Sequence, residues 1–399
     1  MAEAHRREWA FVLAATVRVT RDLDAAEESV QEAYVAALRA WARDGVPERP
    51  GAWLTITARR NALNAMARRR TLQAKLPLLL EPEATEMPEP TDDAIPDDRL
   101  RLVFTCCHPA LAREAQVALT LRLVCGVSTA DIAHAFLVAE PTMAARLTRA
   151  KHKIAAARIP YVVPGPDDLT ERLDSVLSVV HLLSATGHTA PTGDALVRVD
   201  LADRALDLAR VLHALLPAER EAGGLLALLL VHHARNATRT DAAGHLARLE
   251  DQDRTAWDQA EIAEADRLVA AVLRAGPPER FTLQAAIAAL HAQAPTYADT
   301  DWPQILTLYD SLSRVWPSPV VALNRAVAVA MVDGPAAALG EVEALEHDGH
   351  LSGYRYLHAT KADLLRRLGR HEEAAEAYRD ALALTGNAAE RAFLLERLG

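Results

Sequence analysis

The stretch from Lys75 to Asp98, KLPLLLEPEATEMPEPTDDAIPDD, is crowded with proline and acid and holds no sustained helical period. A segment of that kind carries no buried core across itself, so it reads as a linker between separately folded units. A second break, Ile159-Pro-Tyr-Val-Val-Pro-Gly-Pro166, ends whatever helix precedes it, because closely spaced prolines remove donors and clash with earlier carbonyls. The chain is thereby divided into residues 1–72, a linker over 73–98, residues 99–158, and one long array over 167–399. At 399 residues it exceeds a single core. Ala, Leu, Arg and Glu dominate, with only 17 Gly and 5% aromatics, and few alternating β-branched runs occur. That composition predicts an all-α protein.

The formal net charge of -10 is unevenly spread. Residues 1–160 hold 22 Lys+Arg against 20 Asp+Glu, which leaves 22 against 34, net -12, for the remainder. Within the first part, residues 71–98 carry Lys75 against eight acids, so the flanking segments hold 21 basic and 12 acidic residues, net +9. Two cationic units joined by an acidic linker have the electrostatic footprint of a divided DNA-binding module. Cys106, Cys107 and Cys125 form no even disulfide framework, and the adjacent pair lacks zinc-site spacing, so a reducing cytoplasm and no metal are expected. No window approaches the roughly 18 apolar residues of a membrane span.

Residues 128–154 carry the sharpest local signal. Ser128-Thr-Ala-Asp131 is a capping box opening a short helix that ends near Phe136, and Glu140-Pro141-Thr142 starts the next, which is helix-turn-helix spacing. On the second helix Met143, Leu147, Ala150 and Ile154 make an inward stripe, beside which Thr142, Arg146, Arg149 and Lys153 form a cationic one. Such a helix places arginines where they donate to guanine edges or phosphates in a major groove. In residues 52–70, Trp53, Ile56, Leu63 and Met66 are expected to face a core, leaving Thr57, Asn61, Asn64 and Arg68 on one polar face.

The segment AEESVQEAYVAALRAW (residues 26–41) resembles the core-polymerase-binding helix of sigma domain two, and GAWLTITARRNALNAMARRR (51–70) its -10-reading helix. With VSTADIAHAFLVAEPTMAARLTRAKHKI as sigma domain four, the order resembles extracytoplasmic-function sigma factors of the sigma-70 family over residues 1–158. The resemblance implies two small helical sigma domains that bind RNA polymerase core and promoter DNA, without catalysis or cofactor. It assigns core binding to Asp24, Glu27, Glu28, Gln31, Glu32, Tyr34, Leu38 and Trp41. The -10 contacts it implies are Trp53, Thr57, Arg59, Arg60, Asn61, Asn64, Arg68, Arg69 and Arg70, with the loop Arg43–Gly51 cradling a flipped base. For the -35 element it implies Ser128, Thr142, Ala145, Arg146, Arg149, Lys151 and Lys153. Asn64 replaces a frequent Asp, and Ala144 and Ala145 replace larger or polar residues, so no promoter sequence is carried over.

Near the C-terminus, GYRYLHATKADLLRRLGRHEEAAEAYRDALALTGN places Ala362, Gly369, Ala374, Tyr378 and Ala381 at tetratricopeptide-like spacing, and Gly334 lies 35 residues before Gly369. Repeats are therefore expected over about 317–388. Phe104-Thr-Cys-Cys-His-Pro109, Asp251-Gln-Asp-Arg254 with Trp257, Thr300-Asp-Trp302 and Ser318–Arg325 extend the resemblance to a subgroup with a large helical, tetratricopeptide-like regulatory extension acting on the sigma domains in cis. Asp251, Asp253 and Asp258 read as capping and ion-pairing groups, Asp301 as an N-cap, and His232 and His233 as packed or capping residues. A rival reading from a different class is a ligand-sensing helix-turn-helix regulator whose helical repeats bind a metabolite.

Overall fold

The computed structural model describes residues 2–75, 98–136, 138–190, 192–241 and 244–398. Most of the expected linker, residues 76–97, lies outside them. Contacts divide the chain into two compact units, Met1–Val179 and Val180–Gly399.

The first unit opens with three helices, α1 (Ala2–Thr20), α2 (Leu23–Asp44) and α3 (Pro50–Lys75). Asp22 sets the start of α2: its carboxylate accepts the amides of Asp24 and Ala25 at 2.9 and 3.1 Å. Gly45, at φ 82°, lets the chain leave its C-terminus. α2 buries Leu23, Ala26, Val30, Ala33, Ala37 and Trp41, a continuous i, i+3, i+4 stripe. α3 departs from the expected phase. It buries Leu54, Ala58 and Ala62, whereas Ile56 and Leu63 are 69% and 56% exposed and Thr57 is buried. Two apolar stripes compete on this helix, and the one with alanines wins because small side chains let α1 and α2 approach closely.

The same unit continues through α4 (Asp98–Cys106), α5 (Arg113–Leu119), a π turn at Thr120–Val124, α6 (Thr129–Ala135) and α7 (Glu140–Ala156). A helix α8 follows over Pro166–His188, and the boundary between units falls inside it. Its first half is bonded to the preceding segment: Arg172 donates to the Phe104 carbonyl at 2.8 Å, and Arg113 to that of Ser175 at 3.2 Å. Cys106, Cys107 and Cys125 are buried, and burial pushes the Cys107 thiol up to about 11. Gln116 donates to the carbonyls of Cys107 and His108, closing the Phe104–Pro109 turn.

The second unit is built from α9 (Val199–Leu215), α10 (Arg220–Ala234), α11 (Gln259–Ala275), α12 (Arg280–Gln293), α13 (Trp302–Val315), α14 (Pro319–Val332), α15 (Pro335–Asp348), α16 (Arg355–Arg367), α17 (His371–Ala383) and α18 (Ala388–Glu396). α10 is buried almost all round from Ala222 to Val231. It reaches α12 because position 224 has no side chain: a Cβ there would stand 2.7 Å from the backbone nitrogen of Thr282. Glu221 completes the joint, its carboxylate accepting the amides of Phe281 and Thr282 at the start of α12.

The glycines expected to turn the repeats do so. Gly334 between α14 and α15 has φ 95°, Gly369 between α16 and α17 has φ 76°, and Ala362, Ala374, Tyr378 and Ala381 are buried where those helices meet. Arg325 links three successive helices by pairing Asp310 at 2.7 Å and Glu341 at 2.8 Å. The carboxylates of 251–258 fold as expected: Asp253 accepts from Thr255, Asp258 caps α11, and Asp251 pairs with Arg248. Asp301 caps α13. Arg254 and Trp257 hold that loop in place, Arg254 donating to the carbonyls of His291 and Ala294 and Trp257 to Thr238 at 2.8 Å. Short strand pairings interrupt the helices of this unit, among them an antiparallel bridge between Thr240 and Leu246. Thr192–Gly193 (β1) pairs in parallel with Gly386–Asn387 (β2), and the buried Asn387 donates to Ala195 at 2.9 Å.

Candidate polymerase and nucleic-acid interface

On α2 the residues expected to bind polymerase separate into two groups. Asp24, Glu28, Gln31, Glu32 and Leu38 are exposed, in one stripe that also carries Val35, 48% exposed. Glu27, Tyr34 and Trp41 are buried. The acids and the two exposed apolar side chains thus share one solvent-facing side of α2.

α3 presents Arg59, Arg60, Asn64 and Arg68 to solvent and keeps Asn61 half-buried, its amide 3.4 Å from the Ser29 carbonyl. Arg69 and Arg70 lie within the helix, where their side chains are outside the described set. Thr57 is buried, and Trp53 packs edge-on to Trp41 with ring centroids 5.6 Å apart, so both support the helix. The exposed Ile56 and Leu63 take places on the outward face that were read as core. Apolar groups beside arginines suit a separated strand, whose bases offer flat faces and whose phosphates offer charge. Arg43 and Asp44 form an exposed pair at the end of α2, just before the loop in which Val46 is 62% exposed.

The helix-turn-helix folds as its local code requires. Ser128 Oγ accepts the Asp131 amide at 3.1 Å and donates to its carboxylate at 2.6 Å. Met143, Leu147, Ala150 and Ile154 are buried, while Thr142, Ala145, Arg149 and Lys153 face solvent. Arg146 is half-buried, its guanidinium 5.7 Å from the centre of the Phe136 ring. Lys151 does not share the open face. Its ammonium lies 2.8 Å from Asp24 and 2.7 Å from Glu27, so two residues expected at the polymerase and one expected at DNA are in contact with each other.

Arg122, in the π turn, reaches the same carboxylate, its Nε 2.6 Å from Glu27 Oε1. Close by, Trp9 donates to the Leu123 carbonyl at 3.1 Å. The Lys151 ammonium loses hydration on burial, but Glu27 and Asp24 outweigh that and hold its pKa above the ordinary lysine value.

In the second unit a half-open cavity of about 320 Å³ is lined by Arg248, Glu250, Tyr297, Trp302, Tyr309 and Asp363 among others. Arg248 pairs with Glu250 and Arg366 with Asp363, so the charges around it are matched rather than poised for proton transfer. The described residues contain no group of three metal-ligating side chains and no helix long and apolar enough to cross a membrane.

Two cationic helical modules, one with a helix-turn-helix and one with an acidic exposed face on α2, define a DNA-binding transcription protein. Comparison with known families narrows this. Residues 4–71 match Sigma-70 region 2, residues 101–154 match Sigma-70 region 4, and residues 172–273 match a family of unknown function (DUF6596). An uncharacterized protein of Rhizobium meliloti (strain 1021) is 45% identical over 392 residues, covering 97% of this chain and 92% of its own. The chain belongs to the sigma-70 family, as a sigma factor of the extracytoplasmic-function type with a C-terminal extension.

Proposed function

We propose that the chain directs RNA polymerase core to a particular set of promoters. The exposed stripe of α2, Asp24 through Leu38, docks on the polymerase; α3 holds the opened -10 strand with Arg59, Arg60, Asn64 and Arg68; and α7 reads the -35 element with Thr142, Ala145, Arg149 and Lys153. Binding energy from polymerase and from both promoter elements offsets the few kcal/mol of unstacking at each extruded base. The observation that carries this reading is the sorting of α7 into a fully buried apolar stripe and an open cationic one, on the second helix of a capped helix-turn-helix. The helical extension sets the exposure of the sigma domains in cis, and its net -12 beside net +9 supports an electrostatic component.

The test is transcription in vitro with purified core polymerase and a library of promoter fragments. Start sites that appear only with this chain are expected, and their absence both for the full chain and for a chain ending before Pro164 rejects the assignment. The rival, a ligand-sensing regulator acting without polymerase, has the cavity in the second unit in its favour. Operator binding with no effect of core polymerase would select it.

A further inference from the structure

Two half-open cavities adjoin in the second unit. The larger, about 320 Å³, is walled by Tyr297, Trp302 and Tyr309, with His291 and Asn324 beside them. The smaller, about 210 Å³, lies between α14 and α16, and the two share Val327 and Asp363, so they form one elongated groove. Its walls follow from helical period. α14 buries Leu323, Ala326 and Val329 and leaves Asn324 and Val327 exposed on its other side. α16 buries Leu357, Ala362 and Leu365 and brings Thr360, Asp363 and Arg367, at i, i+3 and i+7, to the groove.

The two ends of the groove differ in charge. At the aromatic end Trp302 meets His291 and Tyr297 edge-on, with ring centroids 5.1 and 5.6 Å apart. Burial, then Arg235 and Arg254, push the His291 pKa down to about 4, so that ring stays neutral. Arg254 itself is taken up by the carbonyls of His291 and Ala294 at the end of α12. Arg248 lies 2.8 Å from Asp251 and also pairs with Glu250, so this group of three carries one negative charge in excess. The second Glu250 oxygen has no partner among the described residues. At the far end Arg367 donates to the Ala330 carbonyl at 3.0 Å and lies 3.8 Å from Met331 Sδ, and among the described residues no carboxylate pairs with it. The Tyr297 phenol feels both ends: burial first, then Glu250, raise its pKa against the opposing Arg367.

Such a groove is complementary to a ligand that is itself charged at both ends. Aromatic faces beside excess acid attract a cation, and an unpaired guanidinium attracts a carboxylate. Between them the exposed Asn324 amide offers a donor and an acceptor together, which is what a peptide unit requires. The half-open cavities leave a chain free to run out at either end, whereas a metabolite site encloses most of its ligand.

We propose that this groove receives an extended segment of a partner protein, seating an arginine or lysine among Tyr297, Trp302 and Tyr309 and a carboxylate of the same segment at Arg367. Every residue involved lies in the second unit, so the site stands or falls separately from the promoter reading.

The experiment uses the full chain and tetrapeptides acetylated and amidated at their ends, with two central alanines. The outer residues are arginine and glutamate in either order, arginine twice, glutamate twice, or alanine twice. Calorimetric titration gives the affinities, and the indole N–H resonance of Trp302, assigned with W302F, reports the place of binding. A mixed-charge peptide should bind about five-fold more tightly than either single-sign peptide, the size of one half-exposed charge contact, and should move the Trp302 resonance. R367E should turn the preference toward the doubly basic peptide. Should R367E fail to fold, R367Q replaces it and should abolish the preference for mixed charge over doubly basic. E250Q should weaken every arginine-bearing peptide. Equal binding of all the peptides, binding of none, or binding that leaves Trp302 unmoved overturns the site. Binding confined to uncapped peptides, or free arginine binding as tightly as the mixed peptide, makes the ligand a small molecule and overturns the partner segment.

Discussion

Replacing His232 and His233, one at a time, by Gln should shift the acid stability of the second unit in opposite directions. The two are neighbours near the end of α10, yet their surroundings are inverted. His232 is packed in the helix array, stacked on His188 with centroids 5.0 Å apart. Burial, then the charges of Arg235 and Arg239 and the neighbouring His181, push its pKa down to about 3. His233 places Nδ1 2.8 Å from Glu261 and Nε2 3.0 Å from Asp203, linking α9, α10 and α11. Burial pulls its pKa down, but the two carboxylates outweigh it and hold it above the ordinary histidine value.

The signs follow. An unfolded chain protonates His232 near 6.5, whereas the folded chain refuses the proton, so stability is lost as pH falls below that value. Between pH 7.5 and 5.5 a wholly dry ring at about 3 would cost about 1.4 kcal/mol. The residue as a whole is only half-buried, which brings this to about 1 kcal/mol. His233, with a raised value, contributes stability that is complete below 6.5 and lost as pH rises through its folded pKa. Hydrogen exchange over α10 and α11 at the two pH values, corrected for intrinsic rates, measures both. H232Q should shrink the acid-induced loss by about 1 kcal/mol, and H233Q should enlarge it. A common direction for the two variants, or no change in H232Q, refutes the argument.

Gly224→Ala should lower stability by about 1 to 3 kcal/mol in thermal unfolding, since the new Cβ meets backbone. Gly223→Ala, which meets the movable Val272 side chain at 3.1 Å, should cost less. Leu147→Ala in the recognition helix should cost about 2 to 5 kcal/mol, as a buried leucine does. Leu63→Ala should leave stability within about 0.5 kcal/mol yet weaken capture of a single-stranded -10 oligonucleotide, and a large loss of stability would return Leu63 to the core. Arg149→Ala and Lys153→Ala should each reduce the slope of log affinity against log salt by about one on -35 duplex. Filter binding across a salt series checks this, and an unchanged slope removes the residue from the phosphate contacts.

The helix-turn-helix was legible because its code is local. A capping box, a proline after Glu140 and an apolar stripe every three or four residues are all set within one or two turns, and each reappears in place. The repeat glycines were legible for the same reason, a positive φ being a demand on one residue. α3 was not, because Trp53, Ile56 and Leu63 and the rival stripe Leu54, Ala58 and Ala62 both fit a helical period. Which one faces inward depends on how closely α1 and α2 approach, and periodicity does not encode that distance. The glycine pair in α10 passed unremarked in a leucine-rich run, although Gly224 is where α12 crosses.

By itself, then, the chain's order of residues determined that it is helical and which segments carry the charge to meet DNA; the division into Met1–Val179 and Val180–Gly399, inside α8, was not legible in it. The legible properties follow from solvation, capping and side-chain period, all felt over a few residues. Only the tertiary structure decided that Glu27 of α2 faces Arg122 and Lys151, some 95 and 124 positions away, or that Asn387 ties to Ala195 across 192. Such pairings depend on which surfaces come together once the helices exist. A buried carboxylate accepts any cation of suitable reach, so composition names the candidates and geometry alone selects among them.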